Sequence, residues 1–206
     1  VARVYLHSTL INFTQNTTIP IINALSDLEH PCQALADMYT IYNQFENFEN
    51  VNLVYVGDGN NIASSLALIS ANLGLNFIYS SPKEYQIPST IFNQATNIAA
   101  KHESKMEWIE NPQVAVQEAD VIYTDKWVSM GMEDEEKTRL IDFKNYQVNN
   151  KLISQSKKNV FIMHDMPAKE GEEIDHGILD SKSSLAYEQA ENRLHSQTAL
   201  LYKLFS

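Results

Sequence analysis

Short apolar runs alternate with helical periodicity along most of the 206-residue chain. The runs at 3–6, 19–22, 51–56, 76–79, 105–109, 121–123 and 160–163 are bounded by turn or polar residues and are continuous rather than alternating, as expected of buried strands. Helices are predicted between them, over 31–45, 61–73, 89–102, 114–119, 134–143 and 188–205. The first has Pro31 in its opening turn, Asp27 and Glu29 just upstream, and Leu35, Met38, Ile41 and Tyr42 on one stripe. The second is rich in Ala and Leu and is stopped by Gly74. Strand, helix and strand in this order build βαβ units, so the fold class is α/β: an open parallel sheet flanked by helices, with a partial second α/β lobe.

The polar segment 43–50 (NQFENFEN) divides the chain. Two strands and one long helix precede it, too little for a domain, while the α/β pattern after it is of ordinary domain size. The expected organisation is a partial lobe over 1–45, a main domain over 46–186, and a helix over 187–206 that packs back toward the first lobe. That last helix ends Leu200-Leu201-Tyr202-Lys203-Leu204-Phe205, apolar on more than one side, and needs a surface to pack against. The opening VARVYL reads as the inside of a strand, has no initiator methionine, and lacks the order of a signal peptide. It raises the expectation that the chain is part of a longer protein.

Composition narrows the function. At 44% hydrophobic and 20% charged the chain can bury a sizeable core. A net charge of −11, with no basic run, repels polyphosphates and argues against a nucleic-acid partner. No apolar run approaches the ~20 residues of a membrane-spanning helix. The single cysteine, Cys32, excludes a disulfide framework and fits a reducing, cytoplasmic compartment. Asn12-Phe13-Thr14 and Asn16-Thr17-Thr18 match the glycosylation tripeptide but, without a secretory signal, are read as chance.

Candidate chemistry gathers after the strands. Val54-Tyr55-Val56-Gly57-Asp58-Gly59-Asn60-Asn61 is a strand, a glycine turn and a helix start. A dinucleotide site is disfavoured there, because Ile62 takes the third glycine position and Ser80-Ser81 stands where a ribose-binding acid belongs. Asn60 and Asn61 remain polar ligands for something small. Thr124-Asp125-Lys126-Trp127-Val128-Ser129-Met130-Gly131 and His164-Asp165-Met166-Pro167 follow two further strands, and the segment around His30 follows a third. Each has a structural reading: Asp125 as a turn cap, His164 as a hydrogen-bonded core histidine, His30 as a helix-start residue. Asp125, His164 and His30 on one edge of one sheet point instead to a binding site. Glu133-Asp134-Glu135-Glu136-Lys137 reads as a solvated helix start, and His176 and His195 have no partner at ligand spacing, so no metal site is expected.

His30-Pro31-Cys32-Gln33 with Ala34-Leu35-Ala36-Asp37, then Gly57-Asp58-Gly59-Asn60-Asn61, then Asp125, Trp127 and Ser129-Met130-Gly131, then Ala190-Glu191-Asn192-Arg193, resemble ornithine carbamoyltransferases in order and spacing over essentially the whole chain. The resemblance implies a Rossmann-like ornithine domain joined to a carbamoyl-phosphate domain, a homotrimer with sites at subunit interfaces, and no cofactor. It implies carbamoyl phosphate and L-ornithine as substrates and citrulline and phosphate as products, within arginine metabolism. On this resemblance Arg3 and Arg193 bind carbamoyl phosphate, and His30 and Gln33 hydrogen-bond its carbamoyl group. Asn61, Asp125, Ser129 and Met130 hold ornithine, with Asp165 and Met166 beside the reacting amine. Asp165, His30 and Arg3 are the catalytic candidates. The residue types suit such ligands, since a phosphate needs fixed cations, a carbonyl needs donors, and a zwitterion needs an acid.

The chain departs from that family twice. The family's Ser-x-Arg-Thr phosphate loop is absent, so the chain resembles about its last two-thirds, and affinity for the phosphate ligand is expected to be impaired. Asp165 stands where the family usually carries the cysteine of His-Cys-Leu-Pro; a carboxylate can serve as base, yet it also favours the charged ammonium over the nucleophilic amine. Two alternatives therefore stand beside the enzyme: a non-catalytic amino-acid-binding or scaffolding module, and a carbamoyltransferase for a related amine.

Overall fold

A computed structural model describes residues 1–129 and 131–206. The main sheet has the order β5-β4-β3-β6-β7 and is parallel throughout, with β3 at Asn52–Val56, β4 at Asn76–Ser80, β5 at Met106–Trp108, β6 at Val121–Thr124 and β7 at Phe161–His164. Alternate residues of β3 feed opposite faces. Leu53 and Tyr55 pack with α3 (Asn61–Leu73) and α4 (Ser89–Ala99), whereas Val54 and Val56 pack with residues of α5 (Pro112–Ala115), α7 (Asn150–Ile153) and the segment around 174–186. Both faces are covered, which is why these strands read as unbroken apolar runs.

The first lobe is a two-stranded parallel unit: β1 (Ala2–Arg3), α1 (His7–Gln15) and β2 (Asn23–Leu25). Here the sequence expectations shift. The run 3–6 shortens to β1, although Val4 N still donates to Leu25 O. The run 19–22 is not a strand. Pro20 interrupts it with a residue that has no N–H, and the strand begins at Asn23, just after Ile22 O accepts from Ala2 N at 2.9 Å. The helix α1 was not expected, because its sequence HSTLINFTQ is rich in branched and polar residues and buries only Leu10.

Helix α2 (Pro31–Phe45) has the expected bounds but a different buried face. Its buried residues include Cys32, Gln33, Ala34, Asp37, Met38, Thr40 and Ile41, whereas Leu35, Tyr39 and Tyr42 are exposed. The cause is α8 (Ala186–Phe205), which lies along α2 through a polar seam: Asn192 Nδ2 donates to Thr40 Oγ1 at 2.9 Å, and Gln197 Nε2 to Cys32 O at 2.8 Å. At its end α8 exposes Leu201, Tyr202, Leu204 and Phe205. The helices expected over 114–119 and 134–143 each combine a short α-helix with a 3₁₀ turn, the second as Glu133–Glu135 followed by α6 (Glu136–Asp142). No helix among the described residues is long and apolar enough to cross a membrane.

Candidate functional site

The crevice lies where parallel strand order reverses, between β3 and β6, at their carboxyl ends. The first lobe faces it, and together they enclose a cleft of about 700 Å³. Arg3, His30, Gln33, Asn61, Asp125, Ser129, Asp165, Met166 and Arg193 all line this cleft; Met130 lies outside the described residues. One expectation needs correcting. Asp125 and His164 leave adjacent strands of the main sheet, but His30 follows β2 of the separate two-stranded sheet, so the three do not share one sheet edge. Nor does His164 line the cleft; it is fully buried beneath it.

The glycine turn after β3 is occupied by protein. Gly57 N donates to Ser80 O and Gly59 N to Tyr85 O. A Cβ on Gly59 would sit 2.2 Å from Ile87 N, so glycine is required there by close packing rather than by a phosphate. The start of α3 is closed too, because Asn60 Oδ1 accepts from Ile62 N and Ala63 N. Its other end orients the acid: Asn60 Nδ2 donates to Asp125 Oδ2 at 2.7 Å, and Lys126 N donates to Oδ1 at 2.6 Å. Asn61 Nδ2 reaches across to Ser26 O at 2.8 Å and ties the two lobes.

The cleft is electrically polar. On the first-lobe side, burial and then the charges of Arg193 and Arg3 push the His30 imidazole down to about 4. It is neutral at pH 7, with Nδ1 unpaired among the described residues and its backbone N–H held by Ser65 Oγ. Beyond β6 and β7 the charge is opposite. Burial and the neighbouring Asp125 push the Asp165 carboxyl well above the ordinary range. Below it His164 has a defined tautomer: Nδ1 accepts from Met166 N at 2.9 Å, so Nε2 carries the proton toward Glu173 Oε1 at 3.1 Å. Asp125, His164 and Asp165 place one ligand-type atom each within 4.8 Å of one another, but the His164 Nδ1 lone pair is already used. Two carboxylates without a free imidazole suit an ammonium group better than a transition metal.

Sequence reasoning passed over several cleft residues, among them Tyr5, Asp27, Lys126 and Met132. A Cβ on Gly131 (φ +90°) would meet the Tyr5 ring at 3.0 Å, so Gly131 rests against the first lobe. Nothing in local pattern announces such a contact between residues so far apart in the chain.

Two buried acids give the fold a pH dependence. Burial raises Asp37 to about 7 against the lowering effect of its hydrogen bonds, and raises Asp58 to about 6 against Arg139. Between an unfolded value near 3.8 and these folded values, the folded chain keeps protons that the unfolded chain has lost. Their contribution is complete below the unfolded value and is lost as pH rises through about 6 for Asp58 and about 7 for Asp37. Urea unfolding should show stability falling across that window, each unit of separation counting for about 1.4 kcal/mol per group. A rise over the same window would contradict the assignment.

The architecture is an open parallel α/β domain with a cleft that sets arginines against paired acids. The comparisons give the particular family. Residues 49–204 match "Aspartate/ornithine carbamoyltransferase, Asp/Orn binding domain", and residues 1–43 match "Aspartate/ornithine carbamoyltransferase, carbamoyl-P binding domain". The ornithine carbamoyltransferase of Archaeoglobus fulgidus is 46% identical over 98% of this chain and 64% of its own length. A Thermoplasma acidophilum relative named as a catabolic ornithine carbamoyltransferase is 42% identical over 99% of this chain and 67% of its own. The solved structure of ornithine carbamoyltransferase from Pyrococcus furiosus superposes with a TM-score of 0.93 at 42% identity, over 97% of this chain and 64% of that one. The chain belongs to the aspartate/ornithine carbamoyltransferase family. It spans 64% of the Archaeoglobus relative's length, just under two-thirds.

Proposed function

We propose that this cleft transfers the carbamoyl group of carbamoyl phosphate to the side-chain amine of L-ornithine, giving citrulline and phosphate. The observation that carries the reading is the division of charge, with Arg3 and Arg193 around a neutral His30 and with Asp125 beside Asp165. The anionic donor sits with the arginines, and neutral His30 and the remaining N–H of Gln33 polarise the carbamoyl oxygen. Asp125, with Asn61 and the Ser129-Met130 segment, holds the amino-acid head. The amine attacks the carbamoyl carbon, the bond to the phosphate oxygen breaks, and the amine proton passes to the Asp165 carboxylate. Holding both ligands in one cleft supplies much of the rate. The same reading takes in a homotrimer, a cytoplasmic setting and a place in arginine metabolism.

A second reading, an amino-acid-binding module, is favoured by Asp165 itself, which strengthens a cation site where the resemblance leads one to expect a thiol. Calorimetric titration of the 206-residue chain separates them. On the enzyme reading, ornithine binding tightens when carbamoyl phosphate is present, and citrulline forms. Ornithine binding that ignores carbamoyl phosphate, with no citrulline formed, supports the module. Equal binding of putrescine, which has no α-carboxylate, contradicts ornithine as the acceptor.

A further inference from the structure

Asp37 has no contact with the cleft, yet its carboxylate joins the two sides of it. It is fully buried on α2, among Gln33, Gln189 and Tyr123, all of them buried as well. Gln33 Nε2 donates to Asp37 Oδ1 at 2.8 Å, Gln189 Nε2 donates to the same oxygen at 2.7 Å, and the Tyr123 hydroxyl donates to Oδ2 at 3.2 Å. Oδ1 accepts whether the carboxyl is ionised or carries its proton on Oδ2, whereas a glutamine amide has a donating and an accepting end. Asp37 therefore turns both NH₂ groups inward and both amide oxygens outward. The outward oxygen of Gln33 accepts from Arg193 Nη1. The outward oxygen of Gln189 accepts from His164 N at 3.0 Å, one residue before Asp165.

We infer that Asp37 is a positioning residue: by fixing the orientation of the Gln33 and Gln189 amides, it sets Arg193 on one side of the cleft and the His164-Asp165 turn on the other. The α2–α8 seam does not need a carboxylate for cohesion, since Thr40 and Asn192 already pair there, and a buried acid is costly where it has no such role. What a carboxylate adds is a single polarity for two amides 156 residues apart in the chain, at 33 and 189. The consequence for ligand binding rests on the reading of the cleft given above; the placement of Arg193 does not.

Asp37→Leu keeps roughly the volume but removes the oxygen that both glutamines share, so neither amide is held with its NH₂ inward. Two readouts follow in the 206-residue chain. The first needs no ligand: NMR titration of His30, held at about 4 partly by Arg193 and Arg3, should move up toward the ordinary imidazole value once Arg193 loses its anchor. The second is calorimetry with carbamoyl phosphate, whose affinity should fall about tenfold or more. Thr40→Val is the control, since it breaks the same helix seam without touching either glutamine. At comparable loss of melting temperature it should change neither readout. An unmoved His30 in Asp37→Leu, or an equal shift in Thr40→Val, overturns the inference. If Asp37→Leu does not fold, Gln33→Leu should reproduce the His30 shift and Gln189→Leu should leave His30 in place; a Gln33→Leu chain with unshifted His30 also overturns it. Failure of the parent chain to bind carbamoyl phosphate would sink the functional reading, while the His30 titration still decides the positioning role.

Discussion

Replacing Arg139 by leucine should cost about 3–5 kcal/mol of stability at neutral pH, the usual result of stripping one partner from a buried ion pair. Arg139 is 5% exposed, and its Nη1 donates to Asp58 Oδ2 at 2.7 Å and to Trp127 O at 3.0 Å. Nε meets Glu135 Oε2 at 2.9 Å, and the guanidinium lies 4.8 Å from the centre of the Tyr85 ring. Leucine replaces the aliphatic stem but leaves the Asp58 carboxylate and the Trp127 carbonyl without a donor. Lysine should recover part of the loss, since it restores a charge but not the two-sided fork. The penalty has a signature in pH. Burial already holds Asp58 at about 6 with the guanidinium present, and without it the carboxyl rises further. At about pH 5 Asp58 is protonated in both proteins, so the difference between them should shrink. Urea unfolding at that pH and at neutral pH tests this; a loss under about 1 kcal/mol at neutral pH would mean that water replaces the guanidinium. Because Arg139 grips the carbonyl of Trp127, the loss should also loosen the Val128-Ser129 wall of the cleft.

What the sequence makes legible follows a physical division. Strands buried on both faces leave continuous apolar runs, and β3, β4, β6 and β7 were readable for that reason. Pro31 and Gly74 punctuate α2 and α3 clearly because each acts through its own backbone. The first lobe is less legible. Its small sheet buries little, so Ile19-Pro20-Ile21-Ile22 looked like a strand while pairing falls on Asn23–Leu25. The polar seam between α2 and α8 was hidden more deeply. Hydrophobic periodicity presumes that polar residues face water, yet Asp37, Thr40, Gln189 and Asn192 face one another in the interior. Candidate site residues such as His30, Asp125 and Arg193 stand out through motif resemblance. Their supports, Asn60 for Asp125 and Asp37 for Gln33, emerge only when distances are available.

Ornithine binding should be accompanied by proton release, and Asp165 should be its source. In the ligand-free cleft, burial and the neighbouring Asp125 hold the Asp165 carboxyl well above its ordinary value, so it keeps its proton to higher pH than an ordinary carboxyl does. An ammonium placed between the two acids reverses that balance, because an opposite charge favours the ionised form. Asp125 accepts from two fixed donors, Asn60 Nδ2 and Lys126 N. Calorimetry in two buffers of different ionisation enthalpy reads the proton count directly. Asp165→Asn should bind ornithine without releasing a proton, since an amide has none to give. Asp125→Asn removes the ionic partner itself and should weaken ornithine by about 1.5–3 kcal/mol, tenfold or more, while leaving carbamoyl phosphate on the arginine side unaffected. Equal proton release by the parent chain and Asp165→Asn would move the titrating group elsewhere. An Asp125→Asn chain that kept full ornithine affinity would remove the acid side of the cleft from the mechanism, and with it the reason for assigning the amine to that side.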